Sequence, residues 1–409
     1  MGTSVWIAGV GMTPFGIHSD KTVNELVRWA VNDAISDAGA SSVNSVDAAF
    51  FGTATQGFLQ GQVMIAGQIA LRETGLQAIP VFNIENACAT GASAFTLAVN
   101  HIRAGAGDVV LVVGVEKMHI GNPERSMAVF DTAYNVADPD ALTRTLKELG
   151  GEVDEPHLGR RSIFMDIYAA MARNHMRLHG TTPEQIAAVA AKNHKHAADN
   201  PRAHYREPMT VEQVLGARKL SHPLTVPMCA PLTDGAAAIV VCSDEGMRRI
   251  GARRDVEVLA AVVGTGTDRD ITTFDRHLSQ RVCVQAYEAA GVGAGDVDVA
   301  EVHDATAFAE ILQTEMLGLV PRGEGGPCAE RGETSLGGRI PVNTSGGLES
   351  KGHPIGASGL GQIFELTEQL RGAAGNRQVE NARIALAENG GGFHRGEEAV
   401  TSIVILGKA

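Results

Sequence analysis

Ala34-Ile35-Ser36-Asp37-Ala38-Gly39, followed after a short gap by Val46-Asp47-Ala48-Ala49-Phe50, comes back in the second half of the chain. There it reads Ala286-Tyr287-Glu288-Ala289-Ala290-Gly291, then Val297-Asp298-Val299-Ala300-Glu301. In both copies a helical pattern stops at Ala-Gly, a short loop follows, and Val-Asp opens an apolar strand. Glycine after a helix is a common stop, so Ala-Gly alone carries little weight. The whole order occurring twice points to an internal duplication.

The surroundings of the copies agree. In the first half, residues 5–10 read as a buried strand, 23–38 as a helix, 48–51 as a strand and 62–74 as a helix. An apolar helix then runs from Cys88 to Ala104, and 108–115 is a strand. In the second half, 256–263, 299–303, 383–387 and 400–406 are strands, and 277–290, 308–317 and 359–372 are helices. Continuous apolar strands separated by helices predict an α/β fold whose sheets are covered on both faces. The pattern changes between the halves. Residues 164–178 and 183–198 read as helices, the second opened by Thr182-Pro183, a capping residue before proline at the first helical position. Charged and proline-bearing stretches surround them. The division expected is 1–116 with about 230–255 as the N-terminal half, 117–229 as an inserted loop domain, and 256–409 as the C-terminal half.

With 409 residues, 44% of them apolar and 20% charged, the chain can bury a large core and is not disordered. A net charge of −13 without a long basic run argues against nucleic acid. No apolar run is long enough to span a bilayer. The residues from Met1 lack the pattern of a signal peptide, and Gly407-Lys408-Ala409 is not the usual peroxisomal tripeptide. Cys88, Cys229, Cys242, Cys283 and Cys328 form no Cys-x-x-Cys pair, so a metal site or disulfide framework is not expected. Reduced thiols fit a cytoplasmic setting.

Four segments carry chemistry. Cys88, in Asn86-Ala87-Cys88-Ala89-Thr90-Gly91, sits among small residues where a loop enters a helix. Amides at a helix start favour a thiolate and can hold an oxyanion, although an isolated Cys is more often inert core. His353 lies in the glycine-rich run Asn343-Thr344-Ser345-Gly346-Gly347-Leu348-Glu349-Ser350-Lys351-Gly352-His353-Pro354-Ile355-Gly356-Ala357. An imidazole there could take a proton from a thiol, or merely cap a turn. His303 of Val302-His303-Asp304-Ala305-Thr306 stands at a strand end, where α/β folds place ligand groups; a hydrogen-bonded structural His is the plainer reading. Glu388-Asn389-Gly390-Gly391-Gly392 follows a strand and allows close approach of a ligand, or a tight hairpin.

In this order the segments resemble the thiolase family, particularly the sterol-carrier-protein-type thiolases, over nearly the whole chain. The Gly-His-Pro-Ile-Gly-Ala run is the most specific part. The resemblance implies a duplicated five-layered α/β/α/β/α core with an inserted loop domain, dimeric or tetrameric. It implies Cys88 as the acyl-accepting nucleophile, His353 as its base, and His303 as a holder of the thioester oxygen. The amides of Cys88 and Gly390 would form a second oxyanion hole, and Asn343, Ser345 and Gly346 would meet substrate. The substrate implied is a coenzyme A thioester, its phosphates met by Arg or Lys of the loop domain, with no tightly bound cofactor.

The sequence departs from the family pattern at one function. Claisen chemistry needs a second acid/base, which the family supplies as a Cys in the final glycine-rich segment or after His-Asp. Those positions hold Glu388 and Ala305. Glu388 is a replacement base if burial raises its pKa. The leading expectation is an acyltransferase working through acyl-Cys88. The alternatives are a retro-aldolase on a β-hydroxyacyl-CoA, acting with a small zinc-ribbon/OB-fold partner, and a non-catalytic thiolase-like subunit.

Overall fold

The computed structural model describes residues 3–40, 42–150 and 162–409; Met1, Gly2, Ser41 and residues 151–161 of the expected loop domain lie outside the described residues. Among the described residues, eleven strands follow one another as β1 (Trp6–Met12), β2 (Ala48–Gly52), β3 (Val81–Ile84), β4 (Val109–Glu116), β5 (Lys219–Ser221), β6 (Leu224–Thr225), β7 (Gly235–Cys242), β8 (Val256–Thr265), β9 (Val299–Glu301), β10 (Ile384–Gly391) and β11 (Val400–Lys408). Nine of them run in the order β3-β2-β4-β7-β1-β8-β11-β10-β9, and β5 with β6 forms a separate hairpin.

That order is a palindrome of two similar sheets. In the first, β2 is parallel to β3 and β4, and β4, β7 and β1 alternate in direction. In the second, β10 is parallel to β9, and β10, β11 and β8 alternate. A parallel bridge from Ala300 to Val342 stands where β3 stands in the first. The sheets meet where Trp6 of β1 pairs with Glu257 of β8 and the Val258 amide donates to the Val5 carbonyl at 2.8 Å. The Val-Asp pair noted in the sequence does the same work in both. Asp47 Oδ2 accepts from the amides of Asp108 and Val109, at 2.8 and 2.9 Å, where β4 begins. Asp298 Oδ2 accepts from Arg383 and Ile384, also at 2.8 and 2.9 Å, where β10 begins.

The five layers follow from what each helix touches. The helix Val23–Asp37 covers the outer face of the first sheet, and Leu278–Ala290 that of the second. Thr90–Arg103 and Ile355–Arg371 lie between the sheets and contact strands of both. Their packing is close because glycines meet: a Cβ on Gly91 would lie 2.7 Å from the Gly356 carbonyl oxygen. A separate apolar core joins Ile163–His179 and Pro183–Ala198 to Ala307–Met316 of the C-terminal half, so the inserted segment sits over one end of the layers.

Several boundaries differ from the sequence expectation. The helix expected at 62–74 is only Ala66–Arg72, because Ile65 takes a left-handed φ of 51°. The helix expected from 359 begins at Ile355, since its glycines serve contact rather than breaking. The strand expected to stop at 387 continues to Gly391, so most of the glycine-rich segment is a strand end, not a tight hairpin. The strand β3 had no sequence signal beyond four residues after Pro80.

Candidate active site

Cys88 occupies a stitched turn between β3 and the central helix Thr90–Arg103. The Asn86 amide donates to Thr90 Oγ1 at 2.8 Å, and that hydroxyl donates to the Ala87 carbonyl at 2.6 Å. Ala87 holds a φ of 47°, an unfavoured conformation for a residue with a side chain, so the surrounding bonds over-determine the turn. The end of β10 presses on it: a Cβ on Gly391 would stand 2.6 Å from the Ala89 nitrogen and 3.0 Å from that of Cys88.

His353 arrives from the other half of the duplication, just before the helix Ile355–Arg371. Its Nε2 lies 3.3 Å from Cys88 Sγ, and its Nδ1 lies 2.7 Å from Ser358 Oγ. The Ser358 hydroxyl donates its one proton to the Pro354 carbonyl at 3.2 Å, so it accepts from His353 Nδ1–H. That leaves Nε2 with its lone pair toward the thiol.

The pair rests uncharged. Burial pushes the Cys88 thiol up to about 12, outweighing the opposing pull of the Gly392 and Cys88 amides, and the Glu116 and Glu85 carboxylates push the same way. Burial, then His303, holds His353 well below its usual value. The sequence expectation of a lowered thiol pKa is therefore corrected: burial of the turn outweighs the helix start.

His303 stacks edge-on to His353, with ring centroids 5.2 Å apart. It is 3% exposed, and neither ring nitrogen has a partner, so a buried donor waits for a ligand atom. Burial depresses its pKa to about 4. The ligand atoms of Cys88, His303 and His353 all lie within 4.8 Å of one another. These donor types can hold a zinc ion, and the same closeness is what proton transfer between them requires.

Cys88, His303, His353, Ala305 and Gly392 line one cavity of about 260 Å³. Phe130, Phe164, Tyr168 and Phe393 form an aromatic wall, so the space suits an apolar acyl chain next to a polar end. The sequence reading missed Ser358, Tyr168 and Phe393. Ser358 was visible in the Gly-His-Pro run, one helical turn past Pro354; the two aromatics carry no local signal.

Other expected site residues fall elsewhere. Glu388 is fully buried and does not line the cavity; its Oε2 accepts the His303 amide at 2.9 Å. Burial, then Glu398, raises its pKa well above normal, which meets the condition set for a replacement base, but it stands behind His303 instead of facing the cavity. Gly390 lies against the Glu398 side chain, and it is Gly392 whose amide meets the Cys88 sulfur. Asn343, Ser345 and Gly346 do not meet the cavity, which corrects their expected substrate contact. Asn343 donates to Glu310 at 2.7 Å and accepts from the Val302 amide at 2.9 Å. Ser345 binds Glu301 and Lys351, and Gly346 packs on Ala197. These residues tie the His353 loop to the His303 strand because buried polar groups must pair.

Comparison with known proteins agrees with this arrangement. Residues 5–222 match the thiolase N-terminal domain and 266–407 the thiolase C-terminal domain-like family. The chain is 37% identical over 393 residues to an acetyl-CoA acetyltransferase of Methanothermobacter thermautotrophicus, covering 95% of this chain and 96% of that one. It is 35% identical over 394 residues to the benzoylsuccinyl-CoA thiolase subunit BbsB of Thauera aromatica, covering 95% and 94%. Among solved structures, the Ltp2-ChsH2(DUF35) aldolase superposes with a TM-score of 0.79 at 26% identity, over 99% of this chain and 98% of that one. This chain belongs to the thiolase family.

Proposed function

We propose that the protein is an acyltransferase that carries an acyl group on Cys88 and uses coenzyme A thioesters as substrate. The 3.3 Å approach of His353 Nε2 to Cys88 Sγ, from opposite halves of the core, carries this reading. His353 takes the thiol proton as Cys88 attacks the thioester carbon. Because the pair rests neutral, transfer and attack occur together. His303 donates its free ring N–H to the thioester oxygen. The amides of Cys88 and of Gly392, just past the end of β10, stabilise the tetrahedral oxyanion. Glu388 is a positioning residue that fixes the His303 backbone.

The exposed edge of β3, with Phe82 43% exposed, and the neighbouring Val63 and Met64, each 75% exposed, suit pairing with a second copy. A homodimer, or a tetramer built from it, is the assembly proposed. All five cysteines are free, in keeping with a reducing, cytoplasmic compartment. No helix among the described residues is long and apolar enough to cross a membrane.

A second reading is favoured by Ala305 and Glu388, neither of which offers a thiol, and by the likeness to the aldolase. In it the protein cleaves a β-hydroxyacyl-CoA by a retro-aldol step, assisted by a small zinc-ribbon/OB-fold partner. Turnover of a 3-oxoacyl-CoA with free CoA, set beside turnover of a β-hydroxyacyl-CoA, separates the two. The acyltransferase reading predicts the first activity and its loss in Cys88→Ala. Cleavage of the hydroxy substrate alone, persisting in Cys88→Ala, sinks it.

A further inference from the structure

Breaking or making a carbon–carbon bond through acyl-Cys88 requires a second group to handle the α-carbon proton. His353 is committed to the Cys88 thiol and His303 to the thioester oxygen. The cavity holds one further thiol, that of Cys229. Its segment, 229–232, is threaded between the two histidine elements. Cys229 bridges Thr306, the Ala230 amide donates to the Ala305 carbonyl at 3.0 Å, and Leu232 bridges His353. Residues paired across such a bridge have Cα atoms roughly 5 Å apart, so the 229–230 backbone runs against 305–306, and Cys229 lines the same cavity as Ala305. Tyr168 also lines the cavity, but it sits on a helix of the inserted segment with its ring edge-on to Phe393. The two unpartnered nitrogens of buried His303 show that this side of the cavity is built for a polar ligand atom.

We propose that Cys229 is the second acid/base, supplying from the neighbouring 229–232 segment the thiol that position 305 lacks. This rests on the acyltransferase reading above. In the cleavage direction Cys88 sulfur bonds to the β-carbonyl carbon of a 3-oxoacyl thioester. The bond between that carbon and the α-carbon breaks, and its electron pair passes to the leaving thioester as an enolate. The Cys229 S–H protonates the α-carbon. The Cys229 thiolate then takes the proton of an incoming CoA thiol, whose sulfur displaces the acyl group from Cys88. Burial raises the Cys229 pKa and holds the thiol protonated at rest, the state in which cleavage begins.

The test measures formation of acyl-Cys88 by intact mass in single turnovers, from a saturated acyl-CoA and from a 3-oxoacyl-CoA. Only the second requires α-carbon protonation. Cys229→Ala is expected to keep the first within about threefold and to slow the second about 100-fold. Ala305→Cys added to Cys229→Ala is expected to restore at least a tenth of the lost rate. Wild-type rates in Cys229→Ala overturn the proposal, as does equal loss of both reactions, which marks a structural cysteine. A wild-type protein that accepts no acyl group overturns the acyltransferase reading as well. One that accepts it from acyl-CoA but never cleaves the 3-oxo substrate overturns this proposal alone.

Discussion

Ser358 Oγ accepts from His353 Nδ1 at 2.7 Å, on the ring edge opposite Cys88. This one bond keeps the ring proton on Nδ1, so that Nε2 presents its lone pair to the sulfur. Ser358→Ala frees the other tautomer, in which Nε2 carries the proton and cannot accept one. The rate of Cys88 acylation should fall about fivefold, the factor that one hydrogen bond of about 1 kcal/mol represents. KM should change little. Stopped-flow acylation with a chromogenic thioester measures both.

The neutral resting pair has a distinct pH signature. A thiol pushed to about 12 next to an imidazole held below its usual 6.5 holds little thiolate near neutrality. Alkylation of Cys88 by iodoacetamide should rise about tenfold per pH unit from 7 to 10. A plateau across that range would instead reveal a thiolate–imidazolium pair, and the role given to burial would be wrong.

His303 has no protein partner for either ring nitrogen. His303→Ala should therefore cost little stability but lower kcat about 100-fold, as loss of one oxyanion donor does. Alkylation of Cys88 should stay near its wild-type rate, because His353 remains. Parallel loss of alkylation and turnover would show that His303 acts through His353 alone.

Lys351 Nζ lies 3.1 Å from Glu301 Oε2, with side chains 1% and 0% exposed. Lys351→Ala leaves a buried carboxylate uncompensated and should cost about 3–5 kcal/mol in urea unfolding. Lys351→Met combined with Glu301→Gln should recover much of that loss, because neither charge is then stranded.

These residues also show how far the sequence could be read. The duplication was legible because Val-Asp recurs, and Asp47 and Asp298 indeed cap equivalent strands. Cys88, His303 and His353 stood out because each sits where an apolar element ends. The long run from Asn343 to His353 misled in part. Its Asn343 and Ser345 side chains and its Leu348 amide are held by Glu310, Glu301 and Asp304 inside the protein. A buried hydrogen-bonding network and a substrate site draw on the same residue types, and spacing alone does not separate them. Glu388 was placed in the right neighbourhood but on the wrong side of His303, since which way a strand residue points depends on register. Cys229 carries no sequence signal, because the bridge that brings its segment to the cavity joins residues far apart in the chain.

The most direct measurement is the intact mass of the protein after brief mixing with an acyl-CoA and acid quench. Transfer through a cysteine predicts a gain equal to the acyl group, mapped to the peptide bearing residue 88 and missing from Cys88→Ala. An unchanged mass in wild type while product accumulates, or the same gain in Cys88→Ala, would contradict it.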